Sequence, residues 1–272
     1  MPKLISGTTK VQHGKIVNGH IESNLFNHLN HQTTLKKNTI ITGQQIHSTN
    51  VQVISSNYRP YPYQYPETDA FITNLPNILL TIRHADCLPV FFHDTQKDII
   101  AIAHSGFKGI MNHISIEVIK KMQTEYNSRT TDIQITIGAC AQPCCYTFTD
   151  LTIFNNKPEW KPFITSKPSN KSHPEPGAQL PSNSGSRNND QPTNNKENHH
   201  TKYLVPNTMY YIDLPGFLTQ DLTNSGIPTQ NITDQQICTI HDRNYHSWRY
   251  NKSQNKPLEL GISYIAIVKK IH

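Results

Sequence analysis

The chain has 272 residues, enough to bury a substantial core as one large domain or two small ones. Hydrophobic residues make up 35% and charged residues 16%, both low, so part of the chain lies outside the core. The formal net charge of +6 suits anionic partners such as phosphates, but no compact Arg/Lys stripe with interleaved aromatics points to nucleic acid.

The start, Met1-Pro2-Lys3-Leu4-Ile5, lacks a signal-peptide apolar core, and no run approaches the length needed to span a bilayer. The cysteines are Cys87, Cys140, Cys144, Cys145 and Cys238. An odd number in a chain too long to need disulfide staples points to reduced thiols and a cytoplasmic setting.

Residues 1–38 are polar and weakly patterned. Residues 39–43 and 49–55 read as strands, carried by Ile40, Ile41, Val51 and Val53. Residues 57–66 form a proline–tyrosine loop whose prolines deny a helix or a central strand. Its tyrosines either line a stacking surface for a ring or pack on one another. Residues 69–73 open a central unit. Strands follow at 78–82 and 88–92, then a turn-like joint at 94–98. Residues 99–103 are apolar throughout, the mark of a strand buried on both faces. A helix is predicted over 112–126, with Ile114, Val118, Ile119 and Met122 on one stripe. Residues 133–137 form another buried strand, running into Gly138-Ala139-Cys140.

The composition changes over residues 158–202. Pro, Ser, Asn, Gln, Lys and His dominate, and almost no aliphatic side chain follows Ile164 apart from Leu180. Such a segment cannot gather enough apolar surface to offset its chain entropy, so it reads as a disordered polar insertion. Order resumes at Tyr203. A helix is predicted over 215–225, with Gly226 as its stop. Residues 237–240 look like a strand end, and 262–268 form a strand that closes a sheet. Several strands with few helices favour a mixed α+β fold over a regular doubly wound one. No Gly-rich nucleotide fingerprint or phosphate loop is present.

Groups with metal and nucleophile chemistry sit at the ends of two apolar runs. His84-Ala85-Asp86-Cys87 precedes one, and His104 ends the next. Strand ends hold such groups at fixed separations. Cys87 reads as a metal ligand, a nucleophile or a buried structural thiol. His47 reads either as an ordinary edge-of-sheet histidine or as a third ligand; in the second case two histidines and a thiolate from separate elements could make a three-ligand zinc site with an open fourth position. Such an ion holds the thiol deprotonated and lowers the pKa of a bound water. Asp86 orients a ligand, relays a proton or caps a turn, and Asp69 has the same ambiguity. Cys140 could point a thiol or amides toward a pocket. Cys144 and Cys145 make a poor disulfide, because adjacent residues require a strained ring. Arg59, Arg83, Lys108, Arg243 and Arg249 are candidate anion binders. Arg249 stands out beside the aromatic bulk of Trp248 and Tyr250.

These residues fall in an ordered series of motifs. They are Gln44-Gln45-Ile46-His47, Glu67-Thr68-Asp69-Ala70-Phe71-Ile72-Thr73 and His84-Ala85-Asp86-Cys87-Leu88-Pro89-Val90. Next come Ala103-His104-Ser105-Gly106-Phe107-Lys108-Gly109, Ile137-Gly138-Ala139-Cys140 and Cys145-Tyr146. Tyr211-Ile212-Asp213-Leu214, Ile237-Cys238-Thr239 and Ser247-Trp248-Arg249 complete the series. Over roughly residues 40–150 and 203–268 the chain resembles the YfiH/LACC1 family, once called multicopper polyphenol oxidases or laccases and now associated with purine nucleoside phosphorylase activity.

The resemblance implies a single compact domain over 1–272, with sheets layered against helices and 158–202 as an insertion. It implies His47, Cys87 and His104 as zinc ligands. It also implies phosphorolysis of adenosine, inosine, guanosine and 5'-methylthioadenosine, together with adenosine deamination. The older label implies copper, but one triad is far short of a multicopper set, and a Cys/two-His site suits zinc. The family's aromatic-Arg is Phe107-Lys108 here, its Thr is His84, and its paired arginines are Arg249-Tyr250. Lysine keeps the charge but loses the bidentate fork.

The expected function is therefore a zinc-dependent purine nucleoside phosphorylase and adenosine deaminase. It would act on purine nucleosides and phosphate, with no nucleic acid or membrane partner. Asp86, Cys87 and Arg249 are its expected catalytic residues: Asp86 transfers a proton, and Arg249 or Lys108 holds an anion. The alternatives are a copper-dependent polyphenol oxidase, a hydrolase with Cys87 as nucleophile, and a metal-stabilised nucleoside-binding or scaffold protein without turnover.

Overall fold

The computed structural model describes residues 3–17, 20–33, 35, 39–168 and 208–269. Its organising element is the strand Ile99–Ser105, which is buried along its whole length. Successive side chains of a strand point to opposite faces, so Ile100 and Ile102 face one layer while Ala101 and Ala103 face another. The strand lies between Leu88–Asp94 and Ala70–Thr73 and runs antiparallel to both. Ile133–Ile137 pairs antiparallel with Leu88–Asp94, and Val51–Val53 pairs parallel with Ala70–Thr73. Ile232–Asp234 adds a parallel edge and completes a six-stranded mixed sheet.

A second sheet has the order Lys3–Thr8, Gly261–Val268, Leu79–His84, Ile40–Gly43 and Gln64–Tyr65. The two sheets pack face to face through Phe71, Phe91, Ile100 and Ile102 on one side and Ile41, Leu80, Ile82 and Ile265 on the other. On the far face of the six-stranded sheet lie the helices Ile114–Tyr126 and Leu214–Asn224, buried through Val118, Met122, Leu218 and Leu222. On the far face of the second sheet lies the helix Ser23–Thr33, buried through Leu25 and Leu29. The result is a mixed α+β fold in which two sheets are layered between helices. An element buried on one face must find a partner layer, and this arrangement gives every apolar face one.

Several sequence expectations shift. The predicted helix over 112–126 starts at Ile114, because His113 takes a left-handed φ of 61° and separates it from the short helix Phe107–Met111. The strand end predicted at 237–240 is not a strand. The strand is Ile232–Asp234, and Cys238 makes only an isolated bridge with Cys140. The weakly patterned start holds both a strand and a helix. Lys3–Thr8 is an edge strand with no fully buried residue, and the helix buries only Leu25, Leu29 and Thr33. Neither leaves a strong periodic trace in sequence. The rings of the proline–tyrosine loop pack on one another. Tyr63 meets Tyr65 at 5.1 Å between centroids, and Arg59 lies 3.7 Å above Tyr63.

Of the expected polar insertion, Pro158–Phe163 forms a 3-10 turn and Ile164–Pro168 a strand paired with Thr208–Ile212. Trp160 anchors the turn. It is 1% exposed and stacks on Phe217 with ring centroids 3.7 Å apart. One large aromatic supplies the apolar area that composition averaged over a longer window conceals. Residues 169–202, the rest of that expectation, lie outside the described residues.

Replacing Trp160 by Ala should cost about 3–5 kcal/mol, the usual loss for a fully buried large aromatic. A fall in the urea midpoint with an unchanged slope would show it. An unchanged midpoint would mean that this turn carries no stability.

Candidate metal centre

Three segments meet at one end of the central strands. His47 lies in the loop between Ile40–Gly43 and Val51–Val53. Cys87 lies between Leu79–His84 and Leu88–Asp94, and His104 is near the end of Ile99–Ser105. One ligand atom from each residue lies within 4.8 Å of the others. Cys87 Sγ is 3.8 Å from His47 Nε2, and the two imidazole centroids are 4.8 Å apart. His104 is buried, Cys87 half-buried and His47 exposed, so the group opens to solvent on one side.

Asp69 builds this arrangement. Its Oδ1 is 2.8 Å from His104 Nδ1 and accepts the backbone N–H of His47 at 3.1 Å. Its Oδ2 accepts the N–H groups of Ile46 and Ser48 and the Ser48 hydroxyl. Its own carbonyl accepts the N–H of His104 at 2.8 Å. Burial alone would raise its pKa. The His104 and Ser48 hydrogen bonds outweigh burial, and the carboxyl stays below its ordinary value. An imidazole whose Nδ1–H points at a carboxylate presents its Nε2 lone pair, the arrangement usual for a metal-ligating histidine.

Two backbone features keep the site tight. His47 and Asp86 hold left-handed φ angles of 62° and 84°, which non-glycine residues rarely adopt. At Gly106 a β-carbon would stand 2.6 Å from His47 Cδ2 and 3.1 Å from Cys87 Sγ, so only glycine lets this backbone pass.

Without an ion, Cys87 and His104 act on each other. Burial opposes charge on both. Even so, the neighbouring His104 pulls the Cys87 thiol down to about 6, and Cys87 with Asp69 pushes His104 up to about 9. The thiolate is thus present near neutrality, in the form that binds metal. The donor set, the orienting carboxylate and the open side together fit a metal ion.

The other candidates take various positions. Asp86 is 5% exposed, and its carboxylate accepts Thr239 Oγ1–H at 2.7 Å and the Arg249 N–H at 2.8 Å. Burial pushes its carboxyl up against these bonds. Arg249 sits in the first turn of the helix Trp248–Ser253, which is capped by Ser247. Its guanidinium lies 4.3 Å above the Tyr146 ring and donates to the Thr147 carbonyl at 3.1 Å. Arg243 lies 3.5 Å above Tyr250. Arg243, Arg249, Tyr250 and Thr147 line an open cleft of about 690 Å³, counting the solvent space at its mouth, and Cys144, Cys145 and His241 form another part of its wall. The triad does not line this cleft; Asp86, adjacent to Cys87, links the two.

Several candidates point elsewhere. His84 ends a strand of the second sheet and meets Ser263 Oγ on the neighbouring strand at 2.8 Å, and burial pushes it down to about 3, leaving a neutral ring. Arg83 donates to the Gly43 carbonyl. Cys140 is fully buried in the core, where burial pushes its thiol up. Lys108 is exposed on the short helix that follows Gly106. Sequence reasoning left the role of Asp69 open and missed the grouping of Cys144, Cys145 and Cys238 with His241. The Cys-x-x-His spacing from 238 to 241 was the available signal.

In chelator-treated protein, alkylation of Cys87 by iodoacetamide should rise with pH through a midpoint near 6, because its thiol is held at about 6 and the thiolate is the reactive form. Added metal should suppress it. A midpoint in the ordinary thiol range would refute the ion pair. Asp69→Asn should weaken metal binding by about 10–100-fold in a chelator competition, as loss of an orienting partner does. Unchanged affinity would remove Asp69 from the centre.

The sequence profile of the multi-copper polyphenol oxidoreductase laccase family matches residues 18–182 and 185–261. The purine nucleoside phosphorylase YlmD of Bacillus subtilis (strain 168) is 32% identical over 115 residues, which is 40% of this chain and 41% of that protein. Adenosine deaminase RL5 from an unknown prokaryotic organism is 31% identical over 88 residues, 30% of this chain and 34% of that protein. The chain thus aligns with less than half the length of these curated relatives. The crystal structure of the Bacillus licheniformis hypothetical protein YfiH superposes with a TM-score of 0.74 at 20% identity, covering 98% of this chain and 93% of that one. That likeness concerns the fold. With the profile matched along most of its length, the chain belongs to the YfiH-type family of multi-copper polyphenol oxidoreductase laccases.

Proposed function

We propose that the protein is a zinc-dependent purine nucleoside phosphorylase that also deaminates adenosine. The observation that carries this reading is the open His47–Cys87–His104 set, oriented by Asp69. The names of YlmD and RL5 supply the reaction classes. Both reactions move protons and groups rather than electrons, which suits zinc, an ion without redox chemistry, better than copper. Adenosine, inosine, guanosine and 5'-methylthioadenosine are the substrates of this reading, with phosphate as the second reactant.

In phosphorolysis a phosphate oxygen forms a bond to C1' of the ribose while the bond to the purine breaks. Positive charge develops on the sugar and negative charge on the leaving base, so groups placed for those charges lower the barrier. His47, Cys87 and His104 would hold a zinc ion, which would supply Lewis-acid chemistry to the reaction. Arg249 holds phosphate: its planar fork is anchored at Thr147 and Tyr146 and faces the cleft. Asp86, pushed toward its protonated form by burial, is the proton carrier and also positions Arg249 through the backbone.

Purified protein incubated with adenosine and phosphate should yield adenine, ribose 1-phosphate and inosine. Chelation should abolish turnover, with zinc restoring it and copper not. Arg249→Lys should raise KM for phosphate about tenfold or more, the loss expected for a charge-assisted hydrogen bond. Asp86→Asn should lower kcat with zinc content retained. A folded, zinc-loaded protein without turnover would leave the non-catalytic reading. Oxygen uptake with a phenol that depends on copper would establish the oxidase instead.

A further inference from the structure

A second group of soft donors stands apart from the triad. Cys144 and Cys145 lie in the loop after Ile133–Ile137, and Cys238 and His241 in the loop after Ile232–Asp234. These two strands pair in parallel, so both loops leave the same end of the sheet. The Cys140–Cys238 bridge extends the pairing, with Cys140 N–H donating to the Ile237 carbonyl at 3.1 Å and Thr239 N–H to the Cys140 carbonyl at 3.0 Å. The backbone therefore places the two loops side by side before any side chain acts.

One ligand atom from each of Cys144, Cys145, Cys238 and His241 lies within 4.8 Å of the others. Cys144 Sγ is 3.5 Å from His241 Nδ1, and Cys145 Sγ is 3.2 Å from Nε2. Around a tetrahedral zinc ion, bonds of about 2.3 Å to sulfur and about 2.0–2.1 Å to nitrogen place donor atoms about 3.6–3.8 Å apart. The closest pair, at 3.2 Å, would open slightly and the widest separations, up to 4.8 Å, would close by about 1 Å to reach that geometry. His241 is exposed, and each of its ring nitrogens lies beside a cysteine sulfur, so either could serve as the ligand atom.

We propose that Cys144, Cys145, Cys238 and His241 bind one zinc ion in a closed, four-ligand structural site. Three thiolates and one imidazole form a donor set that zinc takes in structural sites, and four protein ligands leave no position for substrate. The loops already turn donors toward this sulfur: Cys238 Sγ accepts from the Cys145 thiol and from the backbone N–H groups of Gln142, His241 and Ile240. A zinc ion would take the place of the three thiol protons of Cys144, Cys145 and Cys238.

The site has a structural consequence at the cleft. Cys144, Cys145 and His241 form part of the wall that also carries Arg243 and Arg249. Thr239, between two ligands, donates to Asp86, and Ala141 N–H donates to the Asp86 carbonyl at 2.8 Å. The ion thus ties together the loops that hold Asp86 and the cleft. The proposal stands whether or not the enzyme is a phosphorylase.

Metal content of protein purified with reductant and zinc decides it. Wild type should carry two zinc ions per chain. Cys144→Ser/Cys238→Ser and His47→Ala/His104→Ala should each carry one. Cobalt-substituted His47→Ala/His104→Ala should still show strong thiolate-to-cobalt charge-transfer absorption. If the serine variant does not fold, peptide mass spectrometry of alkylated wild type gives the answer: zinc should protect Cys144, Cys145 and Cys238, and chelation should expose them. A single zinc that is lost with His47 and His104 would overturn the proposal. So would equal alkylation with and without zinc, or a Cys145–Cys238 disulfide in the reduced preparation.

Discussion

The buried Asp69 carboxylate is the interaction on which the site depends. It has no exposed surface, and an unpaired charge there would be strongly destabilising. It is stable because donors from two elements converge on it. The 46–48 loop supplies backbone N–H groups and a hydroxyl, and the end of Ile99–Ser105 supplies an imidazole. The same bonds that offset its burial position His47 and His104. Removing one partner leaves the others facing an under-satisfied charge, so the ligand geometry and the local stability are one property.

Asp86 performs the corresponding task for the thiol side. It adjoins Cys87, adopts a left-handed backbone and receives Thr239 and Arg249 through its carboxylate and Ala141 through its carbonyl. Three distant segments are thereby tied to the turn that presents the thiol. Strained backbone at His47 and Asp86, with Gly106 pressed against the side chains of His47 and Cys87, is the kind of local cost that persists where the surroundings over-determine it. The sheets supply that surrounding rigidity. Ile100, Ile102, Ala101 and Ala103 lock the central strand between two packed layers.

Much of this was legible in one dimension. The buried strand at 133–137 was read to its boundaries, and the helix stripe of Ile114, Val118, Ile119 and Met122 is the stripe that packs. His47, Cys87 and His104 were named from strand-end placement and chemistry, and they converge. Leu25 and Leu29 were not legible as a helix face, because two leucines among polar residues leave a weak period. The edge strand Lys3–Thr8 owes its place to pairing with Gly261–Val268, a partner more than 250 residues away. Trp160 was lost within a polar average although one stacked ring holds its turn.

By itself the sequence determined which residue types stand at the strand ends, and hence that thiolate and imidazole chemistry is available there. Periodicity and donor chemistry are local properties, and local properties are written along the chain. Tertiary structure alone decided which donors meet. It turned Asp69 from an ambiguous acid into the orienting carboxylate, and turned His84 toward Ser263 and away from the metal centre. It also brought Cys144 and Cys145 beside Cys238 and His241, almost 100 residues away. The reason is that strand order in a mixed sheet depends on long-range pairing and layer packing, and neither is encoded in the spacing of the residues it brings together.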